Sequence, residues 1–241
     1  MEVYSMDTEK GSKIARDGFQ NERDVVRKFN NWKADNDAQE WLKIMGYDLE
    51  EIEYVIAKIL HEYKTDVQVQ ITIKLKKLID AQNIQVKLVS NPKGFNQIDK
   101  RWVDNYVEMW NIPEDVADLL KYFTGEYKPY KDEVKDERRM FLNELSNQEQ
   151  SKIVSFFEDN KTLILCDIIK GRGKFAAEWM LVIQKVSDVK WVLKHINFVL
   201  NYYSAGKVII TPGGSLKIGK VTVQRKGGME AGKPQICFNL N

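Results

Sequence analysis

The run "NIQVKLVS" (83–90) sets Gln85 and Lys87 two residues apart in an alternating apolar segment. In a strand, residues two apart project from one face. Upstream, "TDVQVQITI" opens on Asp66 and alternates in the same way. If the two strands pair antiparallel through the 75–82 link, Asp66 comes near Gln85 and Lys87. An acid, an amide oxygen and a lysine so grouped suit metal-assisted phosphodiester hydrolysis. Magnesium takes hard oxygen ligands and keeps several waters, so one carboxylate, one amide oxygen and a backbone carbonyl can hold it. The ion would polarise the phosphoryl group and activate water, and a lysine beside it would stabilise developing charge or help deprotonate that water. A solvated strand face explains the same spacing in a chain with 30% charged residues.

Other chemistries lack their parts. Cys166 and Cys237 are the only cysteines and His61 and His195 the only histidines. That inventory makes no ordinary Cys/His zinc site, and neither histidine sits in a recognisable nucleophile motif. Both cysteines lie in apolar, strand-like runs ("LILCDII", "QICFNL") and read as small buried hydrophobes. The net charge of +2 is far from the strongly basic signature of many DNA-binding domains. "KGRGK" (170–174) and "VQRKGG" (223–228) are nonetheless local basic patches able to face phosphate, although solvated loops account for them as well. No apolar run approaches the ~20 residues of a membrane span. The polar N-terminus "MEVYSMDTEKGSK" lacks the apolar core of a secretory signal, so the expected location is the cytoplasm, with no membrane partner.

The positioning elements come next. Apolar spacing predicts a helix from Lys13 to Trp32, kinked near Gly18, and a second over 37–46 with Asp37 as N-cap and Gly46 as C-cap. Asp48 then caps a third predicted helix, "LEEIEYVIAKILHEY". Two alternating strands follow, joined by a turn or helical link at "LKKLIDAQ", and then a loop at "NPKGFNQIDKR". Helices are predicted at "WVDNYVEMW", "PEDVADLLKYF", "RRMFLNEL" and, capped by Ser146, "SNQEQSKIVSFFEDN". "LILCDII" and "EWMLVIQKV" read as strands flanking the loop "KGRGKFAA". "DVKWVLKHINFVLNYY" reads as an amphipathic helix, and "KVIITPGGSLKIGKVTVQRKGG" as three strands joined by glycine turns.

These residues carry a family resemblance. "TD" followed after residues 67–84 by "QVK" resembles the PD-(D/E)XK nuclease signature in the variant with glutamine at the second acidic position. The blocks "GSKIARDGFQNERDV", "NIQVKLVSNPKGFNQIDKRW", "DERRMF", "KGRGKFAAEWMLVIQKVS" and "GKVTVQRKGG" resemble type II restriction endonucleases of the HinP type, which cut duplex DNA at GCGC. The CCGG cutter MspI is a more distant likeness. The resemblance runs from about Gly11 to Gly228. It implies an α/β fold with a PD-(D/E)XK restriction-endonuclease-like core, a mixed β-sheet flanked by helices and a strand-rich C-terminal recognition portion. The expected layout is one compact chain, 1–241, with a catalytic portion at 11–110 and a DNA-recognition portion at 111–241. By the resemblance Asp66 and Gln85 bind Mg2+ together with the Val86 carbonyl, and Lys87 is the catalytic lysine. Glu22, in "GFQNE", matches a first-helix glutamate that often faces such sites; a surface glutamate paired with a lysine or arginine explains it equally.

Cutting at a short defined site needs base readout as well as phosphate contact. Asn96, Gln97 and Lys100 follow the catalytic strand and can reach a groove, and Phe95 either wedges between base steps or folds back onto the core. Arg172, between two glycines, and Arg225 with Lys226, at a strand end, are the other DNA-binding candidates. The tryptophans 41, 102, 110 and 191 read as core or interface. The reading is a Mg2+-dependent endodeoxyribonuclease that cuts double-stranded DNA at a four-base palindrome, GCGC, leaving 5′-phosphate ends. It would work as a monomer or weak homodimer, alongside a companion methyltransferase that protects host DNA. The alternatives are a structure-selective or repair nuclease of the same superfamily and a catalytically inactive DNA-binding module.

Overall fold

The computed structural model describes residues 17–60, 68–76, 78–90, 96–186, 188–226 and 235–240, with Gln68 and Asn96 described in backbone only. In chain order these form α1 (17–30), α2 (Asn36–Ile44), β1 (Ile52–Leu60), β2 (Gln68–Leu75), β3 (Ile79–Val89), β4 (Asn96–Arg101), α3 (Val103–Trp110), α4 (Glu114–Thr124), α5 (Asn147–Asp159) and α6 (Lys161–Leu165). Then come β5 (Trp179–Lys185), β6 (Val189–His195), α7 (Ile196–Ser204), β7 (Val208–Ile210), β8 (Leu216–Ile218), β9 (Val221–Lys226) and β10 (Gln235–Leu240). Among the described residues no helix is long and apolar enough to cross a membrane.

The chain divides into two units. The first comprises Met1–Gly94 and Lys170–Val199, and its sheet runs β1-β2-β3-β5-β6. Only β3 and β5 pair in parallel, from Ile84↔Trp179 to Val89↔Gln184; every other pair is antiparallel. One face is apolar because period-two alternation puts Val69, Ile71 and Ile73 of β2, Ile84 and Val86 of β3, and Leu181 and Ile183 of β5 on the same side. These residues form one core with Val25 and Phe29 of α1 and Trp41 and Leu42 of α2. The second unit comprises Phe95–Ile169 and Leu200–Asn241, with an antiparallel sheet ordered β4-β10-β9-β8-β7. Tyr106 and Trp110 of α3 pack edge-on against Phe238 of β10, at centroid distances of 5.3 and 5.7 Å. The boundary drawn from sequence at 110/111 falls at the end of α3, inside this unit. Residues 170–199 belong to the first unit because β5 pairs with β3.

Several predicted elements differ. The helix expected after Asp48 is a short 3-10 turn, Leu49–Glu51, in which the Asp48 side chain accepts from the Glu50 N–H, followed by β1. Ile52, Val55, Ile56 and Ile59 are β-branched and stiff at χ1, which favours a strand once β2 offers a partner; Ile56 is then 55% exposed and Val55 buried. The N-cap of α2 is Asp35, not Asp37. α1 shows no break at Gly18 within 17–30, and Ile14 lies outside the described residues. "LKKLIDAQ" already enters β3 at Ile79, and "GFNQIDK" is largely β4 rather than a loop. "RRMFLNEL" keeps one 3-10 turn, Leu142–Glu144. "LILCDII" is α6 and a π-helical turn, Cys166–Lys170, not a strand; it buries Ile164, Leu165, Ile168 and Ile169, and Trp110 Nε1 donates to Asp167 at 2.9 Å. "DVKWVLKH" is β6, with helix beginning at Ile196. The remaining strands and α3, α4 and α5 stand as expected, α5 with a full capping box from Ser146 and Glu149.

β1 is an edge strand, and α1 closes part of that edge. Asn30 Oδ1 accepts from the Ala57 N–H at 2.7 Å while its Nδ2 donates to the Ala57 carbonyl at 3.2 Å, as a neighbouring strand would. Asn30→Ala should therefore cost about 1–3 kcal/mol in urea unfolding. A cost below about 0.5 kcal/mol would show that water serves those groups as well.

Candidate active site

β3 is the middle strand of its sheet, and Asn83 to Lys87 are all buried. The face carrying Gln85 and Lys87 is thus covered as fully as the apolar face of Ile84 and Val86. Sequence periodicity implied one wet face; the burial of Asn83, Gln85 and Lys87 contradicts it. Gln68 stands opposite Gln85 on the β2 side, while Met180 and Val182 flank Gln85 and Lys87 on the β5 side. Gln85 is fully buried and Lys87 only 8% exposed. Setting an amide and an ammonium side by side in a sheet interior is at best neutral for stability even when both find partners. Burial removes the solvated-face explanation of the pair.

Glu22 is also only 8% exposed, so it is not a surface glutamate. It stands on the inward stripe of α1 with Val25 and Phe29, one turn before the apolar part begins. Asn21 beside it is 1% exposed, and neither of its side-chain polar atoms has a hydrogen-bond partner among the described residues. Asp66, Phe95 and the side chain of Asn96 lie outside the described residues. Among those described, no three His, Cys, Asp or Glu side chains gather to hold a metal. A site built on Gln85 draws instead on an amide and a backbone carbonyl.

Arg172 occupies the exposed tip of the 170–178 loop, between Gly171 and Gly173, which take left-handed φ values of 83° and 73°. A Cβ at either glycine would meet nothing within 4 Å, so backbone conformation and not close approach requires them. The base of this loop is tied to β3 by an element that sequence reading did not find. Asn83 donates through Nδ2 to the carbonyls of Lys174 and Ala176, both at 3.2 Å, and its Oδ1 accepts from Gln70 Nε2 at 3.1 Å. Its backbone N–H donates to the Glu178 carboxylate at 2.7 Å, and its carbonyl accepts from the Glu178 N–H at 2.9 Å. The alternation of "NIQVKLVS" placed Asn83 on the Gln85 face, which was the one available signal.

In the second unit, Gln97 and Lys100 of β4 are half-buried. They share a polar face with Thr222 and Gln224 of β9 and with Cys237 and Asn239 of β10. Asn239 Nδ2 donates to Gln224 Oε1 at 3.3 Å. Arg225 and Lys226 end β9, with Lys226 exposed. Burial and the neighbouring Arg138 guanidinium hold the Arg225 pKa below its usual value. Burial and Arg225 do the same to Arg139, which stacks on Phe141 at 4.2 Å. Asp136 accepts two bonds from the Arg138 guanidinium, at 2.8 and 3.0 Å, and one from its backbone N–H at 3.1 Å, and this pairing draws its pKa down to about 2. Beside Arg225, "DERRMF" thus supplies arginines to which sequence reading assigned no role.

The fold resembles that of a solved structure, restriction endonuclease MspI in complex with its cognate DNA, with a TM-score of 0.66 and 12% identity over 96% of this chain and 92% of that one. A mixed sheet flanked by helices, with the polar pair at its centre, therefore has the restriction-endonuclease-like fold of the PD-(D/E)XK type. The family model described as R.HinP1I restriction endonuclease matches residues 45–238, most of the chain, and the chain belongs to that family. It is a type II restriction endonuclease. No curated protein sequence matches it.

Burial pushes the Cys237 thiol up to about 11, with Lys226 opposing the shift. A thiol reagent at pH 8 should therefore leave Cys237 unlabelled in the native protein and label it on unfolding. Rapid native labelling of Cys237 would mean that this half of the polar face is open.

Proposed function

We propose that the enzyme hydrolyses both strands of duplex DNA within a four-base palindrome, GCGC, using Mg2+ held by Asp66, Gln85 and the Val86 carbonyl. The observation that carries this reading is the buried Gln85–Lys87 pair in the middle strand of a restriction-endonuclease fold. Asp66 precedes Gln68, the ladder partner of Gln85, by two residues, a covalent reach of at most about 7 Å. The MspI structure contains cognate DNA, which supports a double-stranded substrate here.

The donor set fits a hard cation, since it offers a carboxylate, an amide oxygen and a peptide carbonyl and neither thiolate nor imidazole. Bound there, Mg2+ supplies Lewis-acid polarisation of the phosphoryl oxygens and a more acidic water. The neutral Gln85 leaves the site less negative than two carboxylates would, so the DNA phosphate completes more of its charge balance. Lys87, held in a low-dielectric interior, stabilises the charge that develops on phosphorus-bound oxygen and assists deprotonation of the attacking water. Glu22, buried on α1, is the candidate for a further acidic contribution. The products carry 5′-phosphate and 3′-hydroxyl ends. With one catalytic set per chain, a monomer cuts the two strands in turn, and a companion methyltransferase protects host DNA.

Gln97, Lys100, Arg172, Arg225 and Lys226 supply DNA contacts. Amides and guanidinium groups suit base edges, and the lysines suit phosphate. Phe95 and Asn96, adjacent in sequence to Gln97, join this set.

The test is unmethylated plasmid with Mg2+, followed by sequencing of the cut ends. Discrete fragments should share GCGC at every end; a smear, or cutting only at junctions, contradicts the reading. Lys87→Ala should lower the cleavage rate by about a hundredfold or more while site-specific binding persists. Equal loss of binding would assign Lys87 to DNA contact instead of chemistry.

A further inference from the structure

The 170–178 loop and β3 belong to the same unit, and Asn83 joins them. Within the loop the Ala177 N–H donates to the Lys170 carbonyl at 2.8 Å and the Ala176 N–H to the Gly173 carbonyl at 3.0 Å. Two more of its carbonyls, those of Lys174 and Ala176, are held by the Asn83 amide. Just beyond, the regular β3–β5 ladder begins at Ile84↔Trp179. Glu178 precedes that ladder and bonds both backbone groups of Asn83, one with its carboxylate and one with its N–H. Asn83 is 5% exposed, so these bonds are made away from water, where a satisfied polar group rigidifies and an unsatisfied one is costly. Asn83 projects from the same side of β3 as Gln85 and Lys87, two and four residues on. At the loop tip Arg172 is exposed, and a Cβ at either flanking glycine would meet nothing within 4 Å.

We propose that Asn83 is a positioning residue that fastens the 170–178 loop to the cleavage strand, so that DNA engaged by Arg172 and Lys174 is registered against Gln85 and Lys87. The inference rests on the endonuclease reading of the preceding section. A ligand gripping the loop tip is held to the strand through the carbonyls of Lys174 and Ala176. Their donor is the side chain two residues before Gln85. Loosening that link would let the loop bind DNA without setting the scissile phosphate in place, and small displacements of a reacting centre are expensive in rate. Arg172 and Lys174 contact the DNA; Asn83 acts only through them and the strand.

Asn83→Asp tests this. It keeps the size of the side chain and the acceptor for Gln70, and it replaces the donor to two carbonyls with an acceptor. Gln70→Ala is the control, because it removes only the third side-chain bond and leaves the loop attached. Both variants and the wild type are checked for cooperative melting. Each is then assayed for kcat and KM on a duplex carrying the preferred site and on one with a single base pair changed. Asn83→Asp should lower kcat on the preferred site by about tenfold to a hundredfold with a smaller change in KM. Its loss on the altered site should be smaller, so that discrimination falls about tenfold, while Gln70→Ala stays within about threefold of wild type on every measure. If Asn83→Asp does not melt cooperatively, Asn83→Ser takes its place, since it breaks the same two bonds without adding charge. Equal losses on both duplexes, leaving discrimination unchanged, would overturn the proposal and assign Asn83 a structural role. A wild-type enzyme that cuts with no sequence preference would overturn the endonuclease reading and this inference together.

Discussion

The parallel pairing of β3 with β5 is the constraint from which the site follows. It moves β3 from a hairpin edge to the middle of a five-stranded sheet, where Asn83, Gln85 and Lys87 stand buried on one face. Polar groups enclosed in this way must be satisfied or they destabilise the fold, and charged ones remain expensive even when paired. The opposite face gives the reason the strand can bear this. Ile84 and Val86 lock into an apolar core shared by four neighbouring strands and two helices, which fixes the backbone that aims the polar residues. Stability is supplied by one side of the strand, and the proposed chemistry stands on the other.

The same pairing returns residues 170–199 to the first unit and thereby delivers the glycine-flanked Arg172 to the strand that carries Lys87. Functional sites work best on rigid elements with supporting hydrogen bonds behind them. Asn83 and Glu178 provide that support, 95 residues apart in sequence and joined by a 2.7 Å bond. In the second unit the division of labour is similar. Phe238, Val223 and the aromatic rings of α3 make one side of the sheet a core, and Gln97, Lys100, Gln224 and Asn239 make the other polar. The arginines of "DERRMF" add positive charge beside Arg225, where a phosphate would be favoured.

What could be read from the sequence was local. Alternation identified β2 and β3 and paired them, glycine turns separated β7, β8 and β9, and capping chemistry fixed the start of α5. The spacing of Gln85 and Lys87, strengthened by the family resemblance, named both members of the central pair. What could not be read depended on distant partners. β1 carries β-branched residues at helical intervals, and only pairing with β2 decides between the two periods. The π-helical turn at Cys166–Lys170 has the composition of a strand and is settled by packing and by the bond from Trp110 to Asp167. The burial of Gln85, Lys87 and Glu22 was invisible for the same reason, since alternation marks two faces of a strand without saying what covers each.

The central claim is that Gln85 serves catalysis and not the fold. Gln85→Leu tests it most directly, because leucine nearly matches the volume of the side chain and removes its polar atoms from a fully buried position. Urea unfolding and Mg2+-dependent DNA cleavage are measured on the same preparation. The account predicts stability within about 1 kcal/mol of wild type or higher, as when buried polar groups are replaced by apolar ones of similar volume. Cleavage should fall by about a hundredfold or more. A variant destabilised by about 3 kcal/mol that still cuts at nearly the wild-type rate would contradict it, and would make the amide a structural part of the sheet.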